Sequence, residues 1–157
     1  MNLLLRLLGA LGLALLLGAC ASQKALEPTR LDLSLNGGED LNPDLNGRPS
    51  PLVIRLIELK NPVGFENAEF FSLYENARQT LAPDWVAEEE VELRPGESRE
   101  LKLRVQDDSR YVGIYGAYRN LAGSQWRRVI QLKTAALAQI RLDFTADGIQ
   151  SAPASKE

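Results

Sequence analysis

The 157-residue chain has no histidine and a single cysteine. Without histidine there is no Ser-His-Asp triad, no imidazole general base and no histidine-containing zinc site. One cysteine allows neither an intrachain disulfide nor a CxxC metal or redox pair. Basic side chains number 18 against 21 acidic ones, a formal net charge of -3. Nucleic-acid binding wants a basic face, so the charge argues against that class. The sequence also lacks a Walker loop, a GxGxxG run, a GxSxG elbow and any internal repeat. What remains is ordinary for one globular domain: 45% hydrophobic and 25% charged residues.

The first segment is an address. Residues 1–20 read MNLLLRLLGALGLALLLGAC, with Arg6 as a weakly positive start and an apolar run from Leu7 to Leu17. Leu17-Gly18-Ala19-Cys20 closes it as a lipobox. The small residues admit a signal peptidase, and the Cys20 thiol accepts a diacylglyceryl group. A spanning helix fits less well, because the run is at the short end of what crosses a bilayer and Arg6 interrupts it. Several acyl chains give durable anchoring, each buried methylene contributing about 0.8 kcal/mol. Ala21, not aspartate, follows Cys20, which favours the outer over the inner membrane. Residues 21–29, ASQKALEPT, form a tether that reaches at most about 30 Å. The expected organisation is a signal peptide over 1–19, lipidated Cys20 with its tether to 29, a domain over 30–146 and a flexible polar tail over 147–157.

Seven segments of the domain show the period-two pattern of strands. They are Thr29 to Asn36, Leu52 to Leu59, Glu89 to Leu93, Ser98 to Val105, Tyr111 to Tyr118, Trp126 to Lys133 and Ala138 to Thr145. Leu52 to Leu59 is apolar on both faces apart from Arg55 and Glu58, which suggests a more buried strand, and Tyr111 to Tyr118 is apolar on both faces. Gly113 and Gly116 inside the latter mark a bulge or a close backbone approach. Arg94-Pro95-Gly96-Glu97 is a turn. Between the second and third strands, Phe70, Leu73, Tyr74 and Ala77 share one helical face within Phe65 to Ala77. A further helical turn is expected near Pro83-Asp84-Trp85. Short turns without a βαβ rhythm predict an all-β, two-sheet antiparallel sandwich with a short helical insertion between the second and third strands.

Paired carboxylates are the remaining catalytic option. Glu88-Glu89-Glu90 and Asp107-Asp108 read as solvated charge runs instead. No cofactor or metal is expected; Asn42 to Gly47 resembles a calcium loop only loosely, with the wrong spacing. Trp85, Tyr115, Tyr118 and Trp126 could line a ligand or glycan groove, the alternative reading, although core packing explains them more cheaply. The unusual segment is Asn36 to Pro51, NGGEDLNPDLNGRPSP, sixteen residues between two strands. Loops beyond about 12 to 15 residues without internal structure are uncommon and often functional. It reads either as a flexible connector or as a partner-binding loop stiffened by Pro43, Pro49 and Pro51.

The run from Asn42 to Leu56, NPDLNGRPSPLVIRL, resembles the signature of the type VI secretion lipoproteins, the TssJ/VasD/SciN family. Phe65 to Tyr74, Arg94 to Glu97, Arg110 to Arg119 and Gln125-Trp126-Arg127 agree in order and spacing. Ile57 and Gly116-Ala117 depart from the family's usual residues, as core variation would. The resemblance implies a transthyretin-like sandwich and a non-catalytic lipoprotein of the outer membrane, facing the periplasm. It implies binding to the periplasmic C-terminal domain of the inner-membrane TssM (IcmF-like) protein. TssL and a peptidoglycan-linked component would be reached indirectly. The family's contact loop maps onto Asn36 to Ser50. Within it Asn42, Pro43, Asp44, Asn46, Gly47 and Arg48 are the candidate contacts, with Asp44, Asn46 and Arg48 supplying polar bonds. Arg55, in the same signature, reads equally as structural.

Overall fold

A computed structural model describes residues 27–151 of the chain. The signal peptide over 1–19 and Cys20 lie outside the described residues, as does the tether up to residue 26. Eight strands and two helices follow in chain order. They are β1 (Arg30–Gly37), β2 (Leu52–Leu59), α1 (Val63–Asn67), α2 (Phe70–Thr80), β3 (Trp85–Leu93), β4 (Ser98–Arg104), β5 (Tyr111–Gly116), β6 (Arg127–Gln131), β7 (Leu137–Thr145) and β8 (Gly148–Ser151). One sheet has the order β4-β1-β7-β8 and the other β3-β2-β5-β6.

Alternation along the strands produces the two-sheet packing. Leu31, Leu33 and Leu35 of β1 are completely buried, while Arg30, Asp32 and Ser34 face outward. They meet Leu52, Ile54 and Leu56 of β2 across the sandwich, with Ile114, Leu142 and Phe144 in the same cluster. Each fully buried leucine or isoleucine of this kind contributes roughly 1.5–3 kcal/mol. β2 is buried on both faces because its sheet is covered twice. Ile57 and Leu59 point the other way, under Phe65, Phe70, Leu73 and Ala77 of the helices. The molecule thus has three layers, sheet on sheet with helices over the second sheet.

Several boundaries differ from those expected. The helical insertion is two helices, because Ala68 and Glu69 are extended between them. The helical turn expected at Pro83-Asp84-Trp85 is a turn leading straight into β3, whose first residue pairs with Leu59. β3 therefore begins at Trp85 rather than Glu89. The tail expected from Asp147 starts with a strand. β8 pairs antiparallel with β7, and Ile149 is completely buried. Among the described strands, pairing is antiparallel except between β1 and β7, which run parallel over eight residue pairs.

Gly113 shows why a strand holds a glycine here. A Cβ at this position would lie 2.8–2.9 Å from three atoms of the Phe65 ring. The ring rests directly on the β5 backbone. We predict that Gly113→Ala destabilises the soluble domain by about 1–3 kcal/mol through overpacking. Phe65→Leu in that background should cost less than it does alone. Urea unfolding of the four chains of this cycle measures both effects; simple additivity would show that the two residues do not share the contact.

Candidate functional site

The connection between β1 and β2 crosses from one sheet to the other, and its base is pinned. The Gly37 amide donates to the Glu97 carbonyl at 2.8 Å, and Gly38 donates to Phe144 at 2.8 Å. Leu41 is fully buried in the main core. Its carbonyl accepts the Ser50 amide at 2.9 Å, closing the neck of the loop. Asn42 completes the base. It is 4% exposed and sits at φ 46, a left-handed conformation that asparagine tolerates better than most residues. Its Nδ2 donates to the Pro51 carbonyl and its Oδ1 accepts the Arg119 amide, both at 2.9 Å.

Above the neck, Asp44 and Arg48 form a clasp. The Asp44 amide donates to the Arg48 carbonyl, and the Gly47 amide donates to the Asp44 carbonyl, each at 2.9 Å. One carboxylate oxygen accepts the Asn46 and Arg48 amides at 2.8 and 3.0 Å. The other accepts Arg48 Nε at 2.8 Å and faces Nη2 at 2.7 Å. Hydrogen bonds from the Arg48 backbone and side chain hold the Asp44 carboxyl below its ordinary range. The clasp is therefore complete at neutral pH and opens only as pH falls through that lowered value. Gly47, at φ 75 with open space where a Cβ would be, serves backbone conformation rather than packing.

Of the six residues proposed from sequence, Asn42, Asp44 and Arg48 are thus engaged within the chain itself. Pro43 is half-buried, and Asn46, Gly47 and Arg48 are exposed. The sequence reading passed over Leu45, which stands at the tip with 106% relative exposure. Its signal was local: Asp44-Leu45-Asn46-Gly47 is turn chemistry, which puts the leucine on a turn.

Arg55 has a structural place. Its Nε bonds Glu90 at 2.7 Å and its Nη1 lies 3.4 Å from Glu88. Nη1 also donates to the Tyr74 carbonyl at 2.9 Å, and the guanidinium lies 4.9 Å from the Tyr74 ring centre. Burial works against its charge, but the bonds to Glu90 and Tyr115 more than compensate and its pKa lies above the ordinary value. Arg55 so ties β2 and β3 to α2, beside the non-helical Asn76. Glu88 and Glu90 belong to this network.

The four aromatics considered for a ligand groove do not share one. Tyr115 and Tyr118 are buried at 1% and 4% exposure. Trp126 packs edge-on against Phe70 at 5.3 Å, and Trp85 lies under Arg78. A cavity of about 230 Å³ opens between β3 and β4, lined by Leu56, Glu89, Leu103 and Val105 among others but by no aromatic residue.

The model of a family described as type VI secretion lipoprotein, VasD, EvfM, TssJ matches residues 29–147. The chain is similar to the type VI secretion lipoprotein TssJ1 from Pseudomonas aeruginosa, at 35% identity and a TM-score of 0.77, covering 81% of this chain and 98% of that one. Serratia marcescens Lip, a membrane-bound component of the type VI secretion system, is 24% identical with a TM-score of 0.76, over 80% and 99% of the two chains. A chain in a structure described as the TssM C-terminal domain (869-1107) from EAEC is 22% identical with a TM-score of 0.66, over 80% and 98%. No curated protein matches the sequence.

The geometry of the loop's base generates a test. Asn42→Ala should lower stability by about 1–3 kcal/mol, from strain in the left-handed conformation and from two part-buried hydrogen bonds lost. Asn42→Gly should lose less, since glycine adopts this φ freely. Urea midpoints of the two variants decide; equal losses would mean that φ at this position costs nothing.

Proposed function

The chain belongs to the type VI secretion lipoprotein family, and on that premise we propose its task in the secretion system's membrane complex. It is a non-catalytic outer-membrane lipoprotein, acylated at Cys20 and facing the periplasm. It binds the periplasmic C-terminal domain of TssM through the connection between β1 and β2. TssL and the peptidoglycan-linked component are reached through TssM.

The observation that carries this reading is the placement of the two ends of β1. The tether enters at Arg30, where Thr29 bonds Val105 and Arg30 bonds Ala136. The pinned loop leaves at Gly37, the other end of the same strand. The eight residues of the strand hold these points roughly 23 Å apart. A membrane attachment and a partner attachment at opposite poles suit an anchor. The structure described as the TssM C-terminal domain adds support. Four-fifths of this 157-residue chain covers 98% of the matched chain, which is too short to be the span 869-1107. That matched chain reads as a companion of TssM with this fold.

A binding assay between residues 21–157 and the purified periplasmic domain of TssM from the same organism tests the proposal. The parent should bind, and a folded chain with residues 37–49 replaced by a Gly-Ser linker should not. Binding by both would move the interface to another surface. Binding by neither would return the ligand-binding lipoprotein as the better reading.

A further inference from the structure

We infer that Leu45 is the side chain with which the loop holds its protein partner, and that the partner offers it an apolar pocket. The inference rests on the loop being the interface and goes on to say what kind of interface it is.

Polar side chains were the natural choice from sequence, but the loop has already used the main ones. The Asp44 carboxylate accepts two backbone amides and the Arg48 guanidinium. The Asn42 amide bonds Pro51 and Arg119. Recruiting either for a partner would break bonds that shape the loop, so neither offers net affinity cheaply. Leu45 has no such competing duty. It sits on the apex of the clasp, clear of the core, at 106% relative exposure.

The other large apolar side chains with substantial exposure are placed differently. Phe71 and Tyr74 each pack against the Phe70 ring, at 5.3 and 5.6 Å. Val63 opens α1, and Leu137 opens β7 opposite Arg30, at the tether end of β1. Leu45 alone among them is carried on a closed turn at the opposite end.

The clasp explains how one leucine can count. Ordering a flexible loop opposes association, and a loop already ordered avoids that cost. Here the turn is held by the Asp44 bonds, the neck by Ser50 to Leu41, and the base by Asn42. Association then removes the exposed leucine from water with little further ordering. Asn46 and Arg48, exposed in the same turn, would supply polar contacts beside it.

Leu45→Ala should weaken binding to the TssM periplasmic domain roughly tenfold or more, the scale expected for burying a leucine. Leu45→Asp should weaken it further, and Leu45→Met should stay close to the parent. Calorimetry or surface resonance with purified proteins reads these changes. Melting curves should coincide for all four chains, because the side chain touches no core. Parent-like binding by Leu45→Asp, with loss in the Gly-Ser loop replacement, would overturn the leucine anchor and leave the loop as the interface. Parent-like binding by the loop replacement as well would overturn both.

Discussion

Asn42 is a small residue on which the position of the whole β1–β2 connection depends. The chain must leave one sheet, turn, and enter the other, and it does so over the main apolar core, where an unpaired polar atom is costly. A left-handed backbone at residue 42 makes the turn. The side-chain amide then satisfies a carbonyl at the start of β2 and the amide of Arg119 beyond β5. Buried Leu41 beside it sinks the neck into the sandwich. Everything above the neck stands on that footing. The Asp44–Arg48 clasp can therefore be compact and exposed without being loose.

The same footing joins function to architecture. β1 is an interior strand, paired antiparallel with β4 and parallel with β7 along its length. Its first residue follows the tether and its last precedes the loop. A pull between lipid and partner would run down the covalent backbone of this strand rather than peel one strand from another. The helices and Arg55 serve the opposite sheet, closing its outer face and fixing α2 over β2 and β3. They leave the loop end free.

Much of this was legible in the residues. Period-two alternation located seven of the eight strands, and double-sided apolar character correctly marked β2 as covered on both faces. Helical spacing found Phe70, Leu73 and Ala77, though not the break at Ala68 and Glu69, which no apolar position records. β8 escaped because four residues with one buried isoleucine carry too little pattern; its order comes from pairing with β7. The parallel β1–β7 pair is a matter of topology, to which local periodicity is blind. In the loop, composition singled out the segment and its polar side chains, and the structure shows that the Asn42 and Asp44 side chains bond within the chain. Asparagine and aspartate looked like contacts because they are polar, yet their bonds turn inward. The lone leucine belonged to no period, and only the turn around it explains its exposure.

The proposed interface is a preformed loop with an apolar tip. The most direct measurement is an isotope-edited NMR titration of residues 21–157 with the TssM periplasmic domain. Before addition, the amides of Asn46, Gly47 and Arg48 should show order parameters near those of the strands, about 0.85. On addition, the Leu45 methyls and the amides of 44–48 should shift first and most. Values below about 0.6 in the free loop, or shifts confined to the helices or the β3 edge with Leu45 silent, would contradict it.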